Sequence, residues 1–168
     1  MQFDYDIDCN DVYMQKIKNQ PEAKFSEFNF KIFNGILATN NKLFKWKRSD
    51  TKSCIYCECE DHTSQHLLVE CKHVSPLWQK LHAYFNGVIN WQAIVTGKTF
   101  SSIQNTIVTI LCYLVYKKFT IERTQNVQQE LICYLIKQLA YIKVSYSNIT
   151  SMVSLSQNID NVIDILQT

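Results

Sequence analysis

The sequence predicts an all-α fold, and two observations lead to this prediction. The 168 residues include only three Gly and two Pro, whereas β-sandwiches and barrels need many turns rich in these residues. Apolar residues also recur at helical spacing over several long stretches, instead of alternating as they do in half-buried strands. With 46% hydrophobic residues, the chain can bury one core of ordinary size, and we expect about one domain.

The first elements differ in charge. Residues 1–20 begin with four Asp and have no base before Lys16, so we expect an acidic, poorly ordered lead-in. An apolar face over residues 24–37 predicts the first helix. Bases that alternate with large apolar side chains over residues 42–47 predict a short second helix.

The second half of the chain predicts longer helices. Ser75 followed by Pro76 is typical of a helix start. Two stretches with helical periodicity, at about residues 102–122 and 127–145, are separated by a short connection. They predict a helical hairpin over residues 87–146 that packs on the preceding region.

The remaining segments carry weaker signals. Residues 147–168 are predicted to be a polar tail, in which residues 147–158 are rich in Ser and Asn and a weak helix covers about residues 159–166. The apolar run 107–116 is too short to span a bilayer, which needs about 20 apolar residues. We therefore expect a buried core helix there and no membrane partner.

Four residues in the middle of the chain have the spacing of a metal site. The pattern is Cys-x2-Cys-x8-His-x4-Cys, formed by Cys54, Cys57, His66 and Cys71. Three thiolates and one imidazole are a closed tetrahedral ligand set for Zn²⁺. A Cys pair of this spacing can bind from one turn, and the His and the last Cys lie roughly on one face of a short helix. The sequence thus predicts a structural CCHC zinc knuckle between helices.

Three neighbouring residues leave the ligand set open. Cys59, His62 and His73 could each replace one ligand, or they could be groups that surround the site. A catalytic zinc keeps an open position beside a carboxylate base, and four ligands at closed-site spacing argue against that. We expect no enzymatic activity and no small-molecule substrate.

A basic stretch precedes the cysteines. Residues 16–53 hold nine bases and three acids, an excess of six positive charges. Cations next to aromatic rings are typical of proteins that hold single-stranded nucleic acid, with charge for phosphates and rings for stacked bases. The alternative is a solvated helix face whose aromatic residues pack in the core. The candidate nucleic-acid-binding residues are Lys42, Lys45, Trp46, Lys47, Arg48 and Lys52.

A second group of cations lies at the end of the first long helix. Lys117, Lys118 and Arg123 could contact phosphate, but cations at a helix C-terminus are equally explained by the helix dipole. A positive groove that joins this group to residues 42–52 would favour nucleic-acid binding.

The middle of the chain resembles a known family. The residues that carry the likeness are Thr39-Asn40-Asn41-Lys42-Leu43, Trp46, the Cys54–Cys57 pair, His66-Leu67-Leu68-Val69-Glu70-Cys71 and Trp78. They resemble the zinc-binding region that follows the polymerase in non-LTR, LINE-type retrotransposon proteins. The likeness covers roughly residues 24–145, and where the family usually has Glu this chain has His62.

The resemblance implies a function for the region that contains these residues. Residues 21–86 would be a reverse-transcriptase-type zinc-binding region, a non-catalytic module that binds RNA or DNA in target-primed reverse transcription. The upstream reverse transcriptase would be a possible partner, since this chain shows no Tyr/Phe-x-Asp-Asp turn of a two-metal polymerase. The alternative is a protein-interaction module or a non-functional retrotransposon remnant, which the modest net charge of +2 favours. Zinc-bound thiolates and the lack of a secretory signal predict a reducing intracellular compartment, the cytoplasm or nucleus.

Overall fold

The structure, a computed structural model, describes residues 10, 13–58, 61–87, 89–125 and 130–168. These residues fold into helices without β-strands, apart from one isolated bridge between Ser53 and Asp61, so the predicted all-α class is confirmed. Within these ranges no helix is long and apolar enough to cross a membrane. The helices are α1 (Tyr13–Lys18), α2 (Ala23–Phe33), α3 (Asn40–Lys45), α4 (His66–Glu70), α5 (Ser75–Lys80), α6 (Trp91–Thr96), α7 (Ser102–Gln125), α8 (Leu131–Ser147) and α9 (Val153–Gln167). Both α1 and α4 are π-helical, and a 3₁₀ turn, Thr150–Met152, precedes α9.

Helix α7 lies at the centre of the fold. Helices α1, α2, α4, α6, α8 and α9 all pack against it. Its apolar run is buried as the sequence predicts, with Ile107 and Leu111 fully enclosed. Nearer its C-terminal end, the buried ring of Phe119 packs edge-on against Tyr56 and lies 4.4 Å from the ring of His62, centroid to centroid. The core helix therefore supports the segment that carries the cysteines.

Helix α2 forms because one of its faces is apolar. Phe25, Phe28 and Ile32 are buried on this face, and both phenylalanine rings meet the ring of Tyr113 edge-on at 5.3 and 5.6 Å. The helix ends at Phe33, four residues earlier than the apolar periodicity predicts. Gly35 adopts a left-handed φ of 62°, and its N–H donates to the carbonyl of Ile32, which terminates the helix as glycine commonly does.

The C-terminal segment is more ordered than its composition predicts. Residues 153–167 form one continuous helix, α9, whereas the sequence predicts a polar tail with a weak helix that starts near Ile159. Leu155, Ile159, Val162 and Leu166 are buried, and α9 packs on α5, α7 and α8. The polar residues of its first turns obscured the periodicity that these four apolar positions share.

Helix α6 was not predicted, although its end signals are present in the sequence. The Oδ1 atom of Asn90 accepts a hydrogen bond from the N–H of Ala93 at 2.8 Å, a side-chain cap at the N-terminus. Gly97 ends the helix with a left-handed φ of 68°. The helix is only six residues long, which is too short for apolar periodicity to reveal it.

Most of the predicted acidic lead-in lies outside the described residues. Its last part, α1, packs on α2 and α7, so poor order does not hold for residues 13–18. Lys16 is 2% exposed, and its Nζ donates to Oγ1 of Thr109 at 3.2 Å. The side-chain amide of Asn29 donates to the backbone carbonyl of Lys16. Burial lowers the pKa of Lys16 to about 8, because a buried ammonium loses its hydration.

Replacing Lys16 with Met is expected to stabilise the fold at pH 7 by at most about 3–4 kcal/mol, because burial lowers the pKa of Lys16 from 10.5 to about 8 and one pKa unit corresponds to about 1.4 kcal/mol. Between pH 8 and the unfolded-state value of 10.5, the unfolded chain binds more protons at Lys16 than the folded chain. The contribution of Lys16 to stability therefore rises with pH in this range. Denaturant unfolding at pH 7 and pH 10 should show that the advantage of the variant shrinks at the higher pH. An advantage that stays constant would contradict the burial of a charged lysine.

Candidate metal centre

The structure brings Cys54, Cys57, His66 and Cys71 together in one buried cluster. The four ligand atoms lie within 4.8 Å of one another, although the residues are spread over 18 positions. All four residues are at most 6% exposed, and the three cysteines are free thiols. Buried thiols and an imidazole whose ligand atoms converge in this way are typical of a metal site.

The distances in the cluster fit a tetrahedral zinc ion. Zn–S bonds of about 2.3 Å place two sulfurs about 3.8 Å apart on a tetrahedral edge, and Sγ of Cys54 lies 3.8 Å from Sγ of Cys71. With a Zn–N bond of about 2.0 Å, the corresponding sulfur–nitrogen edge is about 3.5 Å. The observed distance from Sγ of Cys57 to Nε2 of His66 is 3.3 Å. The donor set and its geometry therefore suit one closed metal site.

Helix α4 explains how His66 and Cys71 reach the same ion. In a regular α-helix, positions five apart differ by about 140° around the axis. Here the N–H of Cys71 donates to the carbonyl of His66 at 2.8 Å, which is the i→i+5 bond of a π-helix. The wider turn brings the two side chains onto one face. Thr63 caps the segment, since its Oγ1 accepts the N–H of His66 at 3.0 Å.

The Cys54–Cys57 pair lies on a tight turn. The N–H of Glu58 donates to the carbonyl of Cys54 at 2.8 Å, and Glu58 takes a left-handed φ of 59° to close the turn. The backbone N–H groups of Tyr56 and Cys57 donate to Sγ of Cys54, and that of His73 donates to Sγ of Cys71. These bonds favour thiolates, the form that binds metal.

The side chains of Cys54 and Cys71 are joined by a hydrogen bond between their sulfur atoms. Their hydrogen bond raises the pKa of the Cys54 thiol and lowers the pKa of the Cys71 thiol; burial also raises the former. A divalent cation in the cluster would displace the proton of this bond, because only thiolates act as ligands. Metal affinity is therefore expected to decrease as the pH falls.

The alternative ligands lie elsewhere. Cys59 is outside the described residues. His73 is exposed, and only its backbone N–H contacts the cluster. His62 is fully buried, but it is not part of the group of converging ligand atoms. Instead, Nδ1 of His62 accepts a hydrogen bond from the backbone N–H of Asn40 at 3.0 Å.

His62 therefore caps helix α3, a role that the sequence did not reveal. Asn40 is the first residue of α3, and its N–H has no partner within the helix. Burial, followed by the charges of His66 and Arg123, lowers the pKa of His62 to about 4. The ring is thus neutral at pH 7, with Nδ1 available as an acceptor.

Further hydrogen bonds join the metal-binding loop to α3. The side-chain amide of Asn40 donates to the carbonyl of Ser53 at 2.8 Å, directly before the first cysteine. Asp61, opposite Ser53 in the isolated bridge, accepts from the side chain of Asn41 at 3.3 Å and forms an ion pair with Lys52 at 3.0 Å. The position of α3 consequently depends on residues 53–62, which belong to the loop that contains the first two cysteines of the cluster.

Helix α3 and the residues after it expose most of the predicted basic residues. Lys45, Lys47 and Arg48 are exposed, and Lys42 is half-buried. Among the described residues none of these four has a carboxylate within ion-pair distance, whereas the predicted Lys52 is paired with Asp61. Trp46 is 50% exposed and Phe44 47% exposed, so these two rings are surface groups rather than core residues.

A groove of about 980 Å³ joins this segment to the end of α7. Its walls are Leu43, Trp46, Arg48 and the turn at residues 49–51 on one side, and Arg123 on the other. The guanidinium of Arg123 stacks over the ring of Phe119 at 5.2 Å, which fixes its position. Of the second basic group, Arg123 is thus the residue that lies beside residues 43–51.

The two other candidate cations of α7 do not line this groove. Lys118 is buried and forms an ion pair with Glu122 at 2.6 Å, and its Nζ lies 5.6 Å from the centre of the Tyr134 ring. Lys117 is exposed. Asp50 is the single carboxylate among the described residues that line the groove.

Comparison with known protein families gives a match that covers the N-terminal part of the chain. Residues 6–78 match the family described as zinc-binding in reverse transcriptase, a stretch that contains the basic segment and all four cluster residues. The predicted resemblance to a reverse-transcriptase zinc-binding region is thereby confirmed for this stretch, which corresponds to a zinc-binding domain and not to the catalytic part. The attribution to non-LTR, LINE-type elements stays a prediction. Searches of curated proteins and of solved structures found no match.

Proposed function

We propose that this protein is a non-catalytic, zinc-ordered module that binds single-stranded nucleic acid in the service of a reverse transcriptase. The observation that carries the proposal is the groove between Trp46, Arg48 and Arg123. It combines two cations, one on each wall, with a half-exposed indole, the combination that single-stranded nucleic acid requires. The match to a family of reverse-transcriptase zinc-binding regions supports the same function.

Zn²⁺ has a structural role in this proposal. Cys54, Cys57, His66 and Cys71 would hold the ion in a closed site, and the ion would contribute folding energy to the loop. The loop in turn positions α3 through the bonds of Asn40 and His62. The groove wall that contains Trp46 follows α3 directly, so metal binding and strand binding should be coupled.

The strand would contact the groove in two ways. Arg48 and Arg123 would bind phosphates, and Trp46 would stack on a base. Both contacts are independent of base identity, so we expect little sequence preference. In the parent system this module would help to hold the RNA or the target DNA during target-primed reverse transcription, in a reducing intracellular compartment.

Charge reversal in the groove is expected to lower strand affinity at least tenfold. The probe is a single-stranded RNA of about 12 uridines with a 5′-hydroxyl and a 3′-fluorophore, titrated with zinc-loaded protein and followed by fluorescence anisotropy. Arg48→Glu and Arg123→Glu should each reduce affinity, and should also reduce the slope of log Kd against log salt concentration. Trp46→Ala should lower affinity by about 1–3 kcal/mol, the usual contribution of one stacked base.

Lys80→Glu is the matched control, because it makes the same change in net charge at an exposed position on α5 that does not line the groove. It should leave affinity within twofold of the wild-type value. Equal losses in all three charge-reversal variants would mean that only net charge matters, and the groove would not be the site. Absence of binding by the wild type would favour a protein-interaction module, for which Tyr141 and Val144, 74% and 64% exposed on α8, are candidate contacts.

A further inference from the structure

A second cavity lies on the other side of α3. It has a volume of about 300 Å³ and is lined by residues from four segments: the turn after α2, helix α3 with the residue before it, residues 63–65 directly before α4, and the first residue of α6. Lys42 and Lys45, three positions apart, line this pocket, whereas Leu43 and Trp46, also three apart, line the groove. Positions three apart share a helix face, so α3 separates two distinct sites.

Most residues that line this pocket have polar side chains, and the charged ones among them are two lysines. Besides the two lysines it includes Thr39, Asn41, Ser64 and Trp91, and none of the described lining residues is a carboxylate. Neither lysine has an acidic partner in the described part of the chain. Asp61, the acid bonded to Asn41, is already neutralised by its ion pair with Lys52.

Two unpaired ammonium groups favour an anion with two negative charges. A phosphate monoester carries a charge of about −1.5 to −2 at pH 7 and three acceptor oxygens, whereas each internal phosphodiester of a strand carries a single charge. The hydroxyl of Ser64 and the side-chain amide of Asn41 add uncharged hydrogen-bonding groups around such an anion. The small volume suits one nucleotide end group, since ligand cavities of about 300 Å³ are at the lower limit for small molecules.

We propose that this pocket, between Lys42, Lys45, Ser64 and Trp91, binds a phosphate monoester: the terminal 5′-phosphate of a strand or of a free mononucleotide. The proposal extends the proposed function, because the groove and the pocket adjoin the same helix. It does not depend on that function, since a monoester can bind the pocket without a strand in the groove.

The test compares ligands with and without the monoester. Inorganic phosphate, uridine 5′-monophosphate and uridine are titrated into ¹⁵N-labelled, zinc-loaded protein by NMR. In parallel, the 3′-labelled oligouridine is measured by anisotropy with a 5′-phosphate and with a 5′-hydroxyl. We expect shifts around residues 39–45 and 63–65 with both phosphates and none with uridine. If strand ends are the source, the 5′-phosphate should tighten strand binding at least fivefold. If mononucleotides are the source, uridine 5′-monophosphate should bind in the pocket while the 5′-phosphate leaves strand affinity unchanged.

Lys42→Ala combined with Lys45→Ala should abolish the difference between phosphorylated and unphosphorylated ligands. The matched control, Lys80→Ala combined with Lys137→Ala, removes the same charge at exposed positions outside the pocket and the groove and should retain the difference. The proposal would be overturned if uridine 5′-monophosphate bound no better than uridine and the 5′-phosphate also left strand affinity unchanged, or if a difference survived in the Lys42/Lys45 double variant. Failure of the proposed function looks different: Arg48→Glu and Arg123→Glu would leave binding of the 5′-hydroxyl strand unchanged, whatever the result with phosphate.

Discussion

Replacing Cys71 with Ser is expected to abolish stoichiometric zinc binding and to lower the melting temperature by at least about 10 °C. Structural zinc contributes about 10–16 kcal/mol in small zinc-finger peptides, a value comparable to the whole stability of a typical domain. Even a loss of several kcal/mol would produce this change, at about 2–4 °C per kcal/mol for a chain of this length. The residue is fully buried, and its carbonyl accepts the N–H groups of Val74 and Ser75 at the start of α5. Unfolding should therefore reach beyond the loop itself.

Cys133→Ser is the matched control, because Cys133 is an exposed free thiol on α8. It should keep one zinc per chain by elemental analysis and the wild-type melting curve by circular dichroism. Substitution with Co²⁺ provides a second measurement, since tetrahedral thiolate ligands give the ion a visible absorption that the Cys71 variant should lose. A Cys71→Ser protein that retains both one zinc and the wild-type melting temperature would exclude a structural role for this cluster.

The convergence of four potential metal ligands and the helical class could be predicted because both depend on local sequence. Metal ligands with fixed spacing and apolar residues with helical period need no knowledge of the rest of the fold. The approach of His66 to Cys71 was anticipated, but its means, the π-helical turn of α4, was not. Such a turn depends on which carbonyl each backbone N–H pairs with, and residue types do not specify this.

The surfaces around the metal centre depended on long-range packing and could not be predicted in detail. Residues 42–48 read as one basic stretch, yet α3 directs two of its lysines to the pocket and places Trp46 and Arg48 at the groove. In the sequence, Lys52 and Lys118 looked as available for phosphate binding as the other candidate cations. In the structure, however, both form ion pairs with carboxylates. Whether a cation is free depends on which acids the fold brings near it. The role of His62 also depends on the fold. In the sequence it could be an alternative metal ligand, whereas the structure shows that it accepts a hydrogen bond from the backbone of Asn40.

Replacing His62 with Ala is expected to destabilise the protein by about 3 kcal/mol or more while one zinc remains bound. Two losses add up: the buried N–H of Asn40 loses its acceptor, at about 1–3 kcal/mol, and a cavity opens against Phe119, whose ring now lies 4.4 Å from that of His62. His62→Phe separates the two terms, because it retains an aromatic ring next to Phe119 but cannot accept a hydrogen bond. The His62→Phe protein should therefore lose only the hydrogen bond to Asn40 and not the packing against Phe119, so it should be destabilised less than His62→Ala.

The functional consequence distinguishes a capping residue from a ligand. If His62 acts only by holding α3, both variants keep their zinc, yet their affinity for the 5′-hydroxyl strand falls because the groove wall after α3 is no longer fixed. Denaturant unfolding, zinc content and anisotropy on the same samples provide all three measurements. Loss of zinc from a folded His62→Phe protein would instead assign this histidine to the metal. If a destabilised variant kept full strand affinity, binding in the groove would not depend on the position of α3. Zinc would then stabilise the fold without ordering the binding surface.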